Sequence, residues 1–182
     1  SVNFGKEQDI SISAGILVCH HKESLAQMIR RAHTLLDEQA KQKAGRNACA
    51  IELRKRSGGS RYFVRKWDDH TIWSDFFELG HSIKGKKEDQ AWISSSLVYR
   101  LESIRSGIEA ILKLDDHMVY LQNFIHAQLL RSGLGEWTDA QNLAPKAARL
   151  VVEYDQQGRP HFKPEGLIIA GFLGQGEDHD TV

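Results

Sequence analysis

The sequence predicts an α+β chain in two parts: a strand, helix and β-hairpin over residues 1–68, then a mostly α-helical bundle over residues 69–182. Three observations carry this. Residues 10–19 (ISISAGILVC) are apolar almost throughout and rich in small and β-branched side chains. Leu25, Met28, Ile29, Ala32, Leu35, Leu36 and Ala40 then recur at spacings of three and four, and from Asn47 the spacing falls to two. A period near 3.6 marks a one-faced helix and a period of two a strand.

Taken in order, residues 10–19 show no polar alternation, the pattern of a central strand covered on both faces. Such a strand needs neighbours that the rest of the sequence does not obviously supply. The helix after it has a natural stop at Gly45. Cys49, Ile51 and Leu53 share one face of the next strand, with Ala50, Glu52 and Arg54 on the other. Ser57-Gly58-Gly59-Ser60 reads as a turn, and residues 61–67 complete the hairpin. Asp69 can cap a short helix carrying Ile72, Trp73, Phe76 and Phe77, with Gly80 as its end. After a charged loop over 81–90, Trp92, Leu97, Leu101 and Ile104 mark a second helix. Ile108, Ile111, Leu112, Leu121, Phe124, Ile125 and Leu129 mark a longer third, ending near Gly133. Pro145 is expected to start a fourth helix over 146–154, because proline damages a helix interior. Pro164 fits the first turn of a last helix through Leu167, Ile168, Ile169 and Phe172 to Gly174.

The chain has 182 residues, 41% of them hydrophobic and 26% charged, with no formal net charge. That composition excludes a disordered chain, and no apolar run approaches the roughly 18 residues of a membrane span. Cys19 and Cys49 sit in apolar segments, which favours buried thiols over a disulfide framework. Residues 1–9 lack the basic and apolar regions of a signal peptide, so the expected location is cytoplasmic. The neutral balance hides an asymmetry: Lys41, Lys43, Arg46, Arg54, Lys55, Arg56, Arg61, Arg65 and Lys66 have only Glu52 among them. This basic stretch suits a phosphate-rich partner, and it equally suits a solvated hairpin.

No Ser or Cys carries a local nucleophile signature. His20 and His21 are adjacent and expected to diverge at a strand end, while His33, His70, His81, His117 and His126 fall on separate elements without ligand spacing, so a histidine metal site is disfavoured. Asp68-Asp69 and Asp115-Asp116 read as cap and surface residues in preference to acid–base pairs. More specific is the helix end Ala40-Lys41-Gln42-Lys43-Ala44-Gly45-Arg46-Asn47. A glycine that lets the chain reverse closely, flanked by Lys and Arg, can present cations to one polyphosphate. Complementing the negative end of the helix dipole is the plainer use of Lys41 and Lys43.

Here the residues resemble a known family. Ser13-Ala14-Gly15-Ile16, the helix, and Ala40-Lys41 with Gly45-Arg46-Asn47 resemble the back half of a nucleotide-cyclase palm. In diguanylate cyclases that half ends A-K-x-x-G-R-N, and this sequence has one extra residue between the Lys and the Gly. With His20-His21-Lys22, Leu53-Arg54-Lys55-Arg56-Ser57-Gly58, Ser94-Ser95-Ser96-Leu97-Val98-Tyr99-Arg100-Leu101 and Ala170-Gly171-Phe172-Leu173, it is most similar to the second palm and helical C-terminal domain of the large subunit of type III CRISPR effectors, most closely the Cmr (III-B) branch. The resemblance implies a partial cyclase/polymerase-like palm followed by a helical domain. It implies ATP as substrate, divalent Mg or Mn ions held by acids of an earlier strand and a GGDD hairpin, and cyclic oligoadenylate as product in the intact protein. Gly58-Gly59-Ser60-Arg61 is not that hairpin, so the expectation is a piece of a longer protein, silent alone and without a cofactor of its own. Lys41 and Arg46 match the positions that neutralise nucleotide phosphates, with Lys43 as an alternative; the role of His20 and His21 stays open. Implied partners are the small helical and backbone subunits, crRNA and target RNA, and no membrane. Trp92, Tyr99 and Trp137 are candidate contacts for those subunits, though core positions are favoured for each. The alternative is a non-enzymatic RNA-binding or scaffold module whose basic hairpin interleaves Tyr62, Phe63 and Trp67 for contact with RNA.

Overall fold

A computed structural model describes residues 11–55, 59–84, 96–131 and 137–175. The chain divides into two units, Ser1–Asp69 and His70–Val182.

In the first unit, β1 (Ala14–Val18) pairs in parallel with β2 (Ala48–Arg54), which pairs antiparallel with β3 (Ser60–Lys66), giving the sheet order β1-β2-β3. The connection from β1 to β2 is α1 (Leu25–Thr34), which continues without a break into a π-helical segment, Leu35–Lys43. The sequence placed the doubly covered strand first; among the described residues it is the second strand that is covered. β2 is the strand buried on both faces, through Leu53, whereas β1 is half-buried, has Ile16 43% exposed, and pairs on one edge only among the described residues. Glu52, on the face opposite Cys49, Ile51 and Leu53, is therefore inside as well. The helix lies close on β1 at Gly15, where an added Cβ would stand 2.6 Å from the Ala32 carbonyl oxygen and 2.7 Å from the Leu36 nitrogen. Beneath it, Leu35, Ala40, Ala48 and Ala50 form a small core with Leu17, Ala44 and Val64.

The second unit contains α2 (His70–Lys84), α3 (Ser96–Ser103), α4 (Arg105–Ile111), α5 (His117–Arg131), α6 (Trp137–Leu150), β4 (Val152–Tyr154), β5 (Pro160–Phe162) and α7 (Glu165–Gln175). The last helix follows Pro164 as expected, and Ile168 N–H donates to the Pro164 carbonyl. Four expectations are corrected. Gly80 does not end a helix: it lies inside α2, and a Cβ there would stand 3.1 Å from the Ala170 carbonyl of α7, while one at Gly174 would collide with the Gly80 carbonyl. The two glycines let α2 and α7 approach backbone to backbone. The single long third helix is two, because residues 112–116 turn between α4 and α5 and Asp115-Asp116 lies in that turn. Pro145 sits inside α6, not at its start. Residues 152–154, expected to be helical, form a hairpin with β5, pairing Val152 with Phe162 and Tyr154 with Pro160 around Gly158 at φ +75°.

The helical core gathers Trp73, Phe76 and Leu79 of α2, Leu121, Ile125 and Leu129 of α5, the alanines of α6 and Leu167, Ile169 and Ala170 of α7. α2 and α6 are joined by a two-pronged ion pair, Arg149 Nε to Asp75 Oδ2 at 2.7 Å and Nη2 to Oδ1 at 2.9 Å, and by Lys146 with Glu78. Asp75 is buried, and the bidentate geometry satisfies both its oxygens. No helix among the described residues is long and apolar enough to cross a membrane.

Candidate phosphate-binding turn

The π-helical segment ends in three consecutive residues of left-handed backbone: Gly45 (φ +77°), Arg46 (φ +68°) and Asn47 (φ +50°). Glycine adopts this freely and asparagine tolerates it, but arginine does so at a cost of about 1 kcal/mol or more. The surrounding hydrogen bonds hold the turn. Ala44 N–H donates to the Gln39 carbonyl at 2.9 Å, Arg46 N–H donates to the carbonyls of Ala40 and Lys41, both at 3.1 Å, and Trp67 N–H donates to the Asn47 carbonyl at 2.9 Å, where the β2–β3 ladder begins. Backbone strain of this kind persists only where its surroundings over-determine it, and it clusters at functional sites.

The three cations singled out in the sequence all lie on this one reversal, yet they differ. Lys41 Nζ is tied back to Asp37 Oδ1 at 2.8 Å, one turn earlier, and that hydrogen bond and charge hold the Asp37 carboxyl below its ordinary value. Lys43 and Arg46 are exposed, and neither side chain makes a hydrogen bond or ion pair among the described residues. The turn therefore offers two cations without an anionic partner among the described residues, Lys43 and Arg46, and a third, Lys41, whose charge an exposed pair with Asp37 partly offsets.

Upstream, His20 and His21 do not diverge. β1 ends at Val18, and the two rings stack at 4.3 Å between centroids in the turn that follows. His20 Nδ1 accepts the Lys22 N–H at 3.2 Å. Cys19 Sγ lies 3.1 Å from Met28 Sδ, and burial, then the charge of Glu23, raises its thiol above the ordinary range. Among the described residues no three His, Cys, Asp or Glu side chains converge where a metal ion could be held.

A polar cluster around the buried Glu52 was not legible in the sequence. Glu52, flanked by Leu17 of β1 and Tyr62 of β3, accepts from Arg31 Nε at 2.6 Å, Ser60 Oγ at 2.6 Å and the Tyr62 hydroxyl at 3.1 Å, while Arg31 Nη2 donates to that hydroxyl at 2.5 Å. Burial pushes the Glu52 carboxyl up, but the hydrogen bonds from Arg31 and Ser60, the Arg31 charge and Tyr62 outweigh it and hold the group below its usual value. The cluster fixes α1 to the hairpin. The signal was the Glu52–Tyr62 cross-strand pair, legible only once the hairpin register is known.

The aromatic residues of the hairpin do not form one platform. Phe63 is buried at 1% exposure, Tyr62 points to the opposite face into the Glu52 cluster, and Trp67 Nε1 donates to the Ile12 carbonyl at 3.0 Å. Tyr99 is 58% exposed, against the core position favoured for it; Trp92 and the Trp137 side chain lie outside the described residues.

Residues 2–50 match the family model for Cas10/Cmr2, second palm domain. The match spans β1, the helix and the Gly45–Asn47 turn, and ends three residues into β2. No curated protein matches the chain.

Proposed function

We propose that this chain, a piece of the large subunit of a type III CRISPR effector by its second-palm segment, supplies the phosphate-binding side of an ATP-dependent cyclic-oligoadenylate synthase. The observation that carries the reading is the strained Gly45–Asn47 turn, whose Lys43 and Arg46 have no anionic partner among the described residues. Two features of the same unit agree with half of a palm. β1 is parallel to β2 and has a partner on only one side among the described residues, although parallel strands are normally covered. Leu25 and Ile29 of α1, apolar positions on its one-faced pattern, are 67% and 51% exposed. A further strand on the β1 edge and a cover over α1 would complete the sheet.

In such a palm Arg46 and Lys43 hold the triphosphate in line, and the rigid turn keeps them placed before ATP arrives. Divalent Mg or Mn, when bound, supplies further charge neutralisation in phosphoryl transfer. Among the described residues no ligand set for it converges. The helical unit docks the small helical subunits of the complex, with exposed Tyr99, Val119 and Tyr120 as contact candidates. Assignment to the Cmr branch, contact with crRNA and target RNA, and cytoplasmic location belong to the same proposal.

The test uses the intact large subunit in its complex. Arg46→Ala and Lys43→Ala are each expected to raise the KM for ATP about tenfold, the loss of one charge-assisted phosphate contact. Lys41→Ala is expected to act more weakly, because Asp37 already holds that ammonium. Full oligoadenylate synthesis by both Arg46→Ala and Lys43→Ala overturns the assignment, as does oligoadenylate made by the 182-residue chain from ATP and a divalent ion. The alternative, an RNA-binding hairpin, is disfavoured by the burial of Phe63 and the engagement of Tyr62.

A further inference from the structure

The second unit carries a cleft of about 870 Å³ between α4 and the β4–β5 hairpin. Its floor is apolar, formed by Leu112, Pro160 and Phe162, and its sides bear Arg105, Lys113 and Lys163. That volume lies in the range that encloses small organic ligands.

Arg105 is pre-oriented in it. Its guanidinium lies over the Phe162 ring, 4.9 Å from the centroid, and Nη1 donates to the Phe162 carbonyl at 3.2 Å. The contact to Glu109 is long, 3.5 Å, and uses the same nitrogen. Nε and Nη2 make no hydrogen bond among the described residues, which leaves the edge of a fixed planar fork, the geometry that grips a phosphate with two hydrogen bonds. Lys113 and Lys163 are exposed and make no side-chain hydrogen bond or ion pair among the described residues. The neighbouring cations are already answered: Arg159 Nε and His161 Nε2 both contact Asp155 Oδ2, at 2.7 and 3.1 Å. Of the acids in the lining, Glu109 faces Arg105, and Glu165 has a partner within the fold while its Oε2 is buried without a hydrogen bond among the described residues. A fixed arginine fork, two unanswered lysines and an apolar floor fit an anion with a flat hydrophobic body.

We propose that this cleft binds a nucleotide phosphate, with the phosphate on Arg105, Lys113 and Lys163 and the base or sugar on the apolar floor. Either a free nucleotide or one unit of an RNA strand provides that chemistry. The site is separate from the Gly45–Asn47 turn and does not depend on the palm reading.

The test is fluorescence anisotropy on the full chain, with labelled AMP and a labelled single-stranded RNA of about five nucleotides as probes. Each is titrated on the parent and on a Lys43→Gln/Arg46→Gln background, which removes the cations of the first unit. On both backgrounds Lys113→Gln and Lys163→Gln are expected to weaken binding about fivefold each and, for RNA, to lower the slope of log K against log salt by about one. Arg105→Lys keeps the charge but loses the fork and is expected to weaken binding at least as much, with unchanged melting temperature as the control for folding. Glu109→Gln is expected to tighten binding about twofold by removing a like charge. Binding of both probes supports a free nucleotide, and binding of RNA alone supports a strand. Unchanged affinity in both lysine variants, or no binding of either probe, overturns the proposal.

Discussion

Gly15→Ala is the sharpest test of how the first unit is built. The added Cβ would stand 2.6 Å from the Ala32 oxygen, 2.7 Å from the Leu36 nitrogen and 3.1 Å from the Leu36 Cα. All three are backbone atoms of the helix, so no side chain can swing aside. Cβ contacts are essentially never under 3.0 Å and become ordinary near 3.4 Å, so the helix has to retreat from β1 by between about 0.4 and 0.8 Å. Retreat loosens Leu35 and Ala40, which are 1% and 0% exposed beneath it. Overpacking costs about 1–3 kcal/mol, and a rigid obstruction places this case at about 2–3 kcal/mol. At about 4–8 °C per kcal/mol for a small domain, the melting of this unit should fall by about 10–20 °C. Calorimetry of the full chain measures the shift, and hydrogen exchange across residues 48–54 assigns it to the sheet. Gly45→Ala is the comparison: a Cβ there meets nothing within 4 Å, and the cost comes only from φ +77°, about 1 kcal/mol. A Gly15→Ala chain melting within about 2 °C of the parent, or above Gly45→Ala, would refute the close helix–strand approach.

Glu52→Gln leaves the Arg31 guanidinium against a neutral amide. With Arg31 about one-third exposed, the expected loss is about 2 kcal/mol at pH 7, below the range for fully buried pairs. Because the folded Glu52 carboxyl is held below its ordinary value near 4.3, its contribution is complete above that pH and disappears as pH falls through the lower folded value. Urea midpoints of parent and variant should therefore draw together as pH falls below the ordinary carboxyl value, and a constant gap down to acid unfolding would contradict the cluster. Gly174→Ala should destabilise the helical unit through its clash with Gly80, whereas Gly107→Ala, with open space around it inside α4, should stabilise by about 0.5–1 kcal/mol; equal effects in thermal melts would exclude the close α2–α7 crossing. Burial raises the Cys49 thiol to about 11, so about one in a thousand is ionised at pH 8. Ellman's reagent should modify Cys19 first and Cys49 only on unfolding, and equal rates would show that β2 is not covered.

The elements whose positions depend on local period were legible in the sequence. The helix after β1, the Asn47 switch to a strand and the helix after Pro164 each appear where the spacing put them. The misplacements share a cause: the same residue type serves different ends in different surroundings. Gly80 has the composition of a stop, but the partner that needs its bare backbone is Gly174, more than ninety residues later. Residues 10–19 read as central because both faces are apolar; which strand is central depends on which has partners on both edges, and that is a property of the sheet. The β4–β5 hairpin is only three residues per strand, too short for alternation to stand out, and its Asp155-x-x-Gly158 turn carried the signal instead.

The candidate site shows the same limit at finer grain. The sequence carries one more residue between Lys41 and Gly45 than the cyclase pattern, and that residue has to be accommodated somewhere. It cannot shift β2, because the pairing of Ala14 with Cys49 and of Ile51 with Phe63 places one set of side chains inside, and a slip of one residue would turn every side chain over. The helix is the element able to absorb it, and the end of this helix is wide: Ala44 N–H reaches back five residues to Gln39, and Arg46 N–H five to Lys41. Gly45, Arg46 and Asn47 thereby keep their place at the head of β2, while the side chains before them are rotated relative to an α-helical turn. Lys41, matched by counting along the sequence, pairs with Asp37 one turn earlier, and Lys43, two residues nearer the glycine, is exposed, as is Arg46. Matching a motif residue by residue assumes one helical period, and where that period changes, counting along the sequence no longer fixes which lysine stands at the motif position.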